Sequence, residues 1–233
     1  MKIRMMVVGG VVGLFASTAV AHVSVVSGNA VANVTQVVRF GVGHGCAGAD
    51  TVGLVVDIPT GVTSVRPMPS DFGRSTVQTN AASVVTGVTW QRPVTDVLPS
   101  DTNYYEVSIR LRPPNAPFTT LYFPVHQTCR AADGTMTTVD WVGLPTTVTP
   151  DGGTAPSPAA ALNLVPARLP GWNSYTLTQA ISTLSTFFSD ASIVWRGTAA
   201  YSINPSTAQL ITGTPGVTTL SSLASGDRIW VKY

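Results

Sequence analysis

The chain has 233 residues, of which 44% are hydrophobic and only 10% are charged. Thirteen basic and eleven acidic side chains give a formal net charge of +2, so there is no basic field of the kind that binds nucleic acid or an anionic membrane. No apolar stretch after the first residues approaches the roughly 20 residues that a membrane-spanning helix needs. The composition therefore predicts a globular protein with one large or two small domains.

The first 21 residues have the pattern of a secretory signal peptide. Lys2 and Arg4 form a short positive region, residues 5–16 are apolar, and residues 19–21 (Ala-Val-Ala) are a cleavage site between small residues. Removing these 21 residues leaves 212, with eleven basic and eleven acidic side chains. We expect an exported protein, periplasmic or extracellular, with no membrane anchor.

Cleavage at this site would make His22 the first residue of the mature protein. An N-terminal histidine carries its α-amine and its ring Nδ1 on one residue, so two metal ligands come already linked at little ordering cost. The alternative interpretation is that the signal peptidase cuts before a histidine without functional consequence. The sequence thus makes His22 a candidate metal ligand.

Apolar and polar residues then alternate with a period of two, which is typical of strands with one buried face. We predict strands in the runs 38–42, 52–58, 84–90, 107–112, 119–125 and 136–142. Turns that contain proline and glycine separate the runs, for example at 58–61 and 112–115. About seven short strands at this spacing predict a mainly β fold, an antiparallel immunoglobulin-like or cupredoxin-like β-sandwich over residues 22–145.

The chain has two cysteines, Cys46 and Cys129. In an exported protein such a pair predicts a disulfide bond, with two free thiols or a thiolate metal site as the alternatives. A disulfide would remove the soft sulfur ligands. Of the five methionines, only Met68 and Met136 lie outside the leader, so we do not expect a methionine-rich Cu(I) site.

After the sandwich the composition changes twice. Residues 146–165 are rich in Thr, Pro, Gly and Ala, which predicts a linker. Residues 166–233 read as a small α+β module. Thr176 and Gln179 have capping-box spacing, so a short amphipathic helix is expected to begin there. Strand-like pieces follow at 193–195, 200–203 and 228–233.

Large aromatic residues of this module have two interpretations. The residues are Trp172, Trp195, Tyr201 and Trp230. They could form a platform that stacks on sugars, but a domain this small needs large aromatic side chains to fill its core. We predict that they belong to the core.

Five segments between His22 and Leu144 carry a recognisable pattern. They are Ala-His-Val at the cleavage site, RFGVGHGC at 39–46, DIPTGV at 57–62, YEV at 105–107 and LYFPVHQTC at 121–129. In order and spacing they resemble the YcnI-type family of exported bacterial copper-binding domains. The resemblance does not reach the C-terminal module, which is only weakly similar to small accessory modules of secreted bacterial proteins.

This resemblance implies a β-sandwich that binds Cu(II) through a single-histidine brace. The brace consists of the N-terminal histidine, a glutamate on a middle strand and a tryptophan on a late strand, which correspond to His22, Glu106 and Trp141. Glu106 is the only glutamate in the chain. Amine, imidazole and carboxylate donors suit square-planar Cu(II). Tryptophan is a poor ligand and is expected to form an apolar, cation-π wall. The alternatives are a solvated position for Glu106 and core packing for Trp141.

The other two histidines, His44 and His126, lie outside this brace. His44 shares strand parity with Cys46 and is expected to be a structural, hydrogen-bonded histidine. His126 has the opposite parity from Cys129, and the sequence shows no partner for it. If either histidine reached the metal, the ligand set would change from one imidazole to two.

Two classes of function are compatible with this pattern. The first is a copper-binding protein that buffers or delivers Cu(II) outside the cytoplasm, with the copper ion and another extracytoplasmic copper protein or a membrane copper transporter as partners. The second is a copper-dependent polysaccharide monooxygenase, which needs a second histidine ligand. A secreted surface or carbohydrate-binding module is a third interpretation. No nucleophile-elbow motif indicates a hydrolase. We predict a non-enzymatic copper-binding protein that binds no nucleic acid.

Overall fold

The computed structural model describes residues 22–145 and 156–233. The predicted signal peptide, residues 1–21, and the first half of the predicted linker, residues 146–155, lie outside the described residues. Within the described ranges, strands form four sheets and buried apolar side chains form two clusters. No helix in these ranges is long and apolar enough to cross a membrane.

The sandwich contains thirteen of the described strands. They are β1 (Val23–Val25), β2 (Ala30–Val31), β3 (Gln36–Val42), β4 (Asp50–Asp57), β5 (Thr63–Pro67), β6 (Arg74–Thr79), β7 (Val85–Gln91), β8 (Tyr105–Arg112), β9 (Thr120–Phe123), β10 (Val125–Arg130), β11 (Met136–Gly143), β12 (Ser157–Pro158) and β13 (Ala160–Val165). A single 3-10 turn, Val94–Asp96, lies between β7 and β8. The run predicted at 119–125 is two strands, since Pro124 has no N–H to continue the ladder.

Two larger sheets form the layers of the sandwich. One has the order β1-β3-β8-β5 and the other β12-β11-β10-β4-β7-β6, while β2-β13-β9 form a smaller third sheet. Pairs within the two larger sheets are antiparallel except at the edge, where β12 runs parallel to β11. The alternating apolar residues meet between the layers, with Phe40, Trp90 and Phe123 fully buried. The predicted mainly β sandwich is confirmed.

The predicted disulfide is also confirmed. Cys46 and Cys129 are bonded, with their Cα atoms 5.7 Å apart and a sequence separation of 83. Cys129 lies on β10, and Cys46 forms an isolated bridge with Ala49 just before β4. The bond therefore fixes the loop between β3 and β4 to the middle of the larger sheet.

The predicted linker is partly wrong, because strands β12 and β13 occupy residues 157–165. β13 pairs with β9 in an antiparallel and with β2 in a parallel arrangement, so this segment completes the sandwich. Ala160, Leu162 and Leu164 face inward and are almost fully buried. The strand was missed because alanine and proline are typical of linkers. In β13, however, Ala160 fills a buried inward position next to Leu162 and Leu164.

The C-terminal module contains five strands and two helices. The elements are β14 (Trp172–Thr176), α1 (Ser185–Phe188), β15 (Ile193–Arg196), β16 (Ala199–Tyr201), α2 (Pro205–Gly213), β17 (Thr218–Thr219) and β18 (Arg228–Lys232). The strands form one sheet with the order β14-β18-β15-β16-β17. Its apolar cluster lies on one face of this sheet, beneath α1 and the segment that leads into it.

The helix predicted from Thr176 is wrong in extent, since only Ser185–Phe188 is helical. The apolar residues of the pattern, among them Leu177 and Ile181, are buried as predicted for an amphipathic element. Their backbone groups, however, bond to a distant segment: Ile181 and Leu223 exchange two hydrogen bonds, and the Leu177 N–H donates to the Asp227 carbonyl. These tertiary partners replace the bonds within a helix. Gln179 donates to the Phe118 carbonyl instead of forming a capping box.

Helix α2 was not predicted, although its start has a local signal. Asn204 is the N-cap, and its side-chain oxygen accepts hydrogen bonds from the N–H groups of Ser206 and Thr207. Pro205 occupies the first helical position, where its missing N–H is not needed. An Asn-Pro pair before a polar helix is therefore the signal that an apolar periodicity search passes over.

The core prediction for the module's aromatic residues is wrong for two of the tryptophans. Trp172 and Trp230 are 51% and 47% exposed, while Trp195 and Tyr201 are half-buried. Phenylalanines fill the core instead, and one of them, Phe118, comes from the loop between β8 and β9 of the sandwich. The core of the module thus includes a side chain that the sandwich contributes, while two of the module's own indoles are exposed to solvent.

Candidate metal centre

His22 and Trp141 lie together at the edge of the sandwich. His22 directly precedes β1 at the edge of one sheet, and Trp141 lies on β11 near the edge of the other. Their ring centroids are 5.5 Å apart, with an angle of 43° between the ring planes. Two of the three residues that the resemblance implies are therefore brought together although 119 positions separate them in sequence.

Trp141 presents its ring, and not its nitrogen, to this site. The indole is almost fully buried, and its Nε1–H donates to the Gln127 side-chain oxygen at 3.0 Å. The Gln127 amide in turn donates to the Thr51 hydroxyl at 2.8 Å and to the His44 carbonyl at 2.9 Å. This chain of buried hydrogen bonds fixes the orientation of the indole, which fits the role of an apolar wall.

Sequence reasoning did not identify Gln127 as part of the site. A signal was available, because Gln127 has the same strand parity as the buried Val125 and Cys129 on β10. A polar side chain at an inward position needs a hydrogen-bond partner. The partner that the structure provides is the implied wall residue, Trp141.

Glu106 lies on the outer face of the other sheet. Its carboxylate accepts a hydrogen bond from the Tyr104 hydroxyl at 3.3 Å and lies 3.9 Å from the Arg39 guanidinium. The side chain is 40% exposed. Burial, followed by the charge of Glu106, raises the pKa of Tyr104, so this phenol stays protonated and can donate to the carboxylate. Glu106 is thus partly solvated, as in the alternative interpretation, but it also has a defined hydrogen-bond partner in Tyr104.

Gly41 makes this tyrosine contact possible. It lies opposite Glu106 in the β3–β8 register and opposite Ser24 in the β1–β3 register. A Cβ at position 41 would stand 2.1 Å from the Tyr104 hydroxyl oxygen, so only glycine accommodates the ring there. Gly43, which follows β3, has open space where a Cβ would be. In this sheet β3 lies between β1 and β8. Neither Gly41 on β3 nor Gly43 just after it therefore places a side chain between the His22 end of β1 and Glu106.

The neighbouring Tyr105 anchors this part of β8 from inside. Its hydroxyl donates to the fully buried Asp50 carboxylate at 2.7 Å. The Arg92 guanidinium pairs with the same carboxylate at 2.7 Å. Burial, followed by the hydrogen bond to Asp50, raises the pKa of Tyr105. Because adjacent strand residues point to opposite faces, this inward anchor fixes the outward direction of Tyr104 and Glu106.

The remaining histidines have partners of their own. His44 Nδ1 lies 2.7 Å from the Gly45 carbonyl and 3.8 Å from the Asp101 carboxylate. On the outer face of the larger sheet, His126 lies between Asp140 on β11, 2.6 Å from its Nδ1, and Asp57 on β4, 3.5 Å from its Nε2. The hydrogen bond to Asp140 raises the pKa of His126. The sequence showed no partner for His126, because Asp57 and Asp140 lie on neighbouring strands that only the fold brings next to β10.

The donor set fits a copper ion if the mature chain begins at His22. In that case residue 22 would supply the amine and imidazole, Glu106 would supply oxygen, and Trp141 would shield one side. Among the residues that the structure describes, no three His, Cys, Asp or Glu side chains form a group that could hold a metal ion. The implied brace does not need three such side chains, because His22 would supply two ligands and Glu106 the third.

Comparisons with known proteins concern mainly the sandwich. A solved structure described as an uncharacterized protein from Nocardia farcinica with an immunoglobulin-like fold is similar to 62% of this chain and 98% of its own, at 28% identity and a TM-score of 0.49. The comparison with curated proteins found no match. The family model described as a domain of unknown function, DUF1775, matches residues 22–164, which span both large sheets and end within β13. YcnI-like copper-binding proteins belong to the same family. The chain is therefore a member of the DUF1775 family.

Proposed function

We propose that the protein is an exported copper-binding protein that holds one Cu(II) at its mature N-terminus for buffering or delivery. The observation that carries the proposal is the contact between His22 and the buried Trp141 ring across the sandwich edge. A free N-terminal histidine at this place would present its amine and imidazole beside an oriented apolar wall. Glu106, which lies on β8 in the same sheet as β1 and is held by Tyr104, is the oxygen donor of the proposed brace.

Each residue has a distinct role in this proposal. His22 chelates the ion, and the single imidazole leaves room for water or a partner's ligand. Glu106 adds a negative charge that favours a divalent cation. Trp141 excludes water from one side, and its fixed orientation through Gln127 keeps the site ordered. Trafficking, rather than catalysis, is the function that such a one-imidazole site favours.

The first experiment is a Cu(II) titration of mature protein whose first residue has been verified as His22 by intact mass. We expect one copper per chain, with a paramagnetic resonance spectrum that reports nitrogen donors. The matched control retains Ala21 before His22, which converts the amine into an amide and leaves the sandwich untouched. Its affinity should fall by more than about tenfold, since even partners outside the ligand shell contribute that much. Equal affinity of the two proteins would contradict the proposal.

Side-chain variants then identify the remaining ligands. Glu106→Gln should alter the spectrum and weaken binding, because it removes the charge and keeps the size. His44→Gln and His126→Gln should leave the nitrogen hyperfine pattern unchanged. If either histidine variant removed a second imidazole signal, the single-histidine brace would be wrong. A copper monooxygenase would then become the better hypothesis, to be tested with a polysaccharide and a reductant.

A further inference from the structure

One face of the C-terminal sheet carries an unusual set of side chains. Strands β14, β18 and β15 are neighbours, and their inward residues, such as Val194, Ile229 and Val231, are fully buried. The alternate residues point outward, and the largest of them are indoles. We call these three residues, Trp172, Trp195 and Trp230, the indole strip.

The strand register makes the indole strip continuous. Trp230 lies directly opposite Trp195 on the neighbouring strand, and Trp172 is opposite Lys232, one outward position from Trp230. Directly opposed side chains are about 5 Å apart at Cβ, and diagonal ones are about 7–8 Å apart. The strip therefore crosses three strands, about 10 Å, on a solvent-facing surface. Trp172 and Trp230 keep about half of their surface exposed with the whole described chain in place.

Cationic side chains flank the strip. Arg228 and Lys232 are the outward residues on either side of Trp230 along β18. The Arg228 guanidinium lies 5.7 Å from the Trp230 ring centroid, and its Nε donates to the Ser174 hydroxyl at 3.2 Å. The other outward residues of these strands are Thr176 and Ile193. None of the outward side chains of the three strands is a carboxylate.

We propose that the indole strip is a binding site for a linear polysaccharide whose sugars carry carboxylate groups. The indoles would stack on the apolar C–H faces of successive pyranose rings, and Arg228 and Lys232 would pair with the uronate carboxylates. A flat strip suits an extended glycan because it offers ring faces without a closed pocket. This site is separate from the proposed copper centre and does not depend on it.

Area and charge decide against other occupants. The exposed halves of Trp172 and Trp230 offer roughly 200 Å² together, whereas a stable protein interface buries about 800 Å² on each partner. A nucleic acid would need a denser positive field than two cations provide. The disulfide between Cys46 and Cys129 also indicates an oxidising compartment outside the cytoplasm, where polysaccharides are abundant.

The test uses the mature full chain and measures binding to polygalacturonate by calorimetry and by quenching of tryptophan fluorescence. Fully methyl-esterified polygalacturonate is the matched ligand, because it keeps the sugar rings and removes the charge. Trp172→Ala and Trp230→Ala should each weaken binding to the acidic polymer by about tenfold. Arg228→Gln combined with Lys232→Gln should remove the preference for the acidic over the esterified polymer.

Leu210→Ala is the matched protein control, since Leu210 is 69% exposed in the same module but lies on α2 and not on β14, β15 or β18. It should bind the acidic polymer as the unmodified protein does. Absence of binding by the unmodified protein would overturn the proposal, as would tryptophan variants that bind the acidic polymer as tightly as the unmodified protein does. So would tighter binding of single-stranded DNA, or a dimer that Trp172→Ala dissociates. Copper stoichiometry should be the same in all variants, which separates this test from that of the metal site.

Discussion

The sandwich and the C-terminal module place their aromatic residues in opposite ways. In the sandwich, Trp90 and Trp141 are almost fully buried between two sheets. In the module, Trp172 and Trp230 are about half exposed on β14 and β18, on the face of the sheet opposite the apolar cluster. The two regions thus use the same residue type for packing in one case and leave it accessible in the other.

This difference follows from the number of layers. Two sheets that cover each other give every inward position an apolar environment, so a tryptophan of inward parity becomes core. Where a sheet is covered on one side only, as at β14 and β18, its alternate positions remain in water whatever their hydrophobicity. On β16 of the same face, next to α2, the alternate position Ala200 is fully buried. An exposed tryptophan is therefore informative in the module, while a buried one in the sandwich has a structural role by default. Trp141 is buried as a structural residue and is also part of the candidate metal centre, because its ring contacts His22.

The largest effect should come from removal of the disulfide, which only the sandwich contains. Replacing both Cys46 and Cys129 by alanine releases a closed loop of 83 positions and should lower the free energy of unfolding by roughly 4–5 kcal/mol. Calorimetry and denaturant titration measure the loss. Hydrogen exchange should show faster exchange in β4 and β10 and little change in β14 and β18. Equal acceleration in both regions would mean that they unfold as one unit.

A somewhat smaller effect is expected at Phe118, where the two regions share a core. Its ring lies 5.4 Å from Tyr175, 6.1 Å from Phe187 and 5.5 Å from Phe188. Phe118 also has a φ of 64°, a costly conformation for a bulky residue that packing must offset. Phe118→Ala should therefore cost about 3–4 kcal/mol.

The loss at Phe118 should fall on the module. Protease digestion and hydrogen exchange of the Phe118→Ala variant should show opening of residues 175–191, with the strands of the sandwich protected. Phe118→Leu is the control, because it keeps an apolar side chain in the cluster and should lose less. A variant in which the sandwich opens and the module stays protected would contradict the assignment of Phe118 to the module core.

The smallest effect concerns His126 on the exposed face of the sandwich. Its hydrogen bond to Asp140 raises the pKa of His126 in the folded state. The resulting stabilisation is fully present below the ordinary value near 6.5 and is lost as pH rises through the raised folded value. His126→Gln should therefore reduce stability more at about pH 5.5 than at about pH 8.5, by less than about 1 kcal/mol because the pair is exposed.

Thermal unfolding at several pH values measures this difference. Asp140→Asn is the matched control, since it removes the main cause of the raised pKa and keeps the histidine. It should flatten the pH dependence in the same way as His126→Gln. A stability difference that is the same at low and high pH would show that His126 contributes through packing and not through its charge.

Much of the sandwich follows from the sequence alone. The period-two runs predict the strands because a strand that buries one face must alternate apolar and polar side chains. The pairing of Cys46 with Cys129 follows from having two cysteines and an export signal. The family, too, could be identified from five short segments. The strand runs and family segments are local in sequence, and two cysteines allow only one pairing. These features can therefore be predicted without knowing which strands become neighbours.

The module and the site depended on the tertiary structure. The residues 177–184 have an apolar pattern that suits a helix, yet their backbone bonds to 223–227 because that segment is near in space. The exposure of Trp172 and Trp230 depends on which face the module leaves uncovered, and parity alone does not reveal it. In the same way, His22 and Glu106 are candidates from the sequence and its family resemblance. Only the folded sheets determine that His22 contacts the Trp141 ring and that the Tyr104 hydroxyl lies over Gly41, because these contacts join segments distant in sequence.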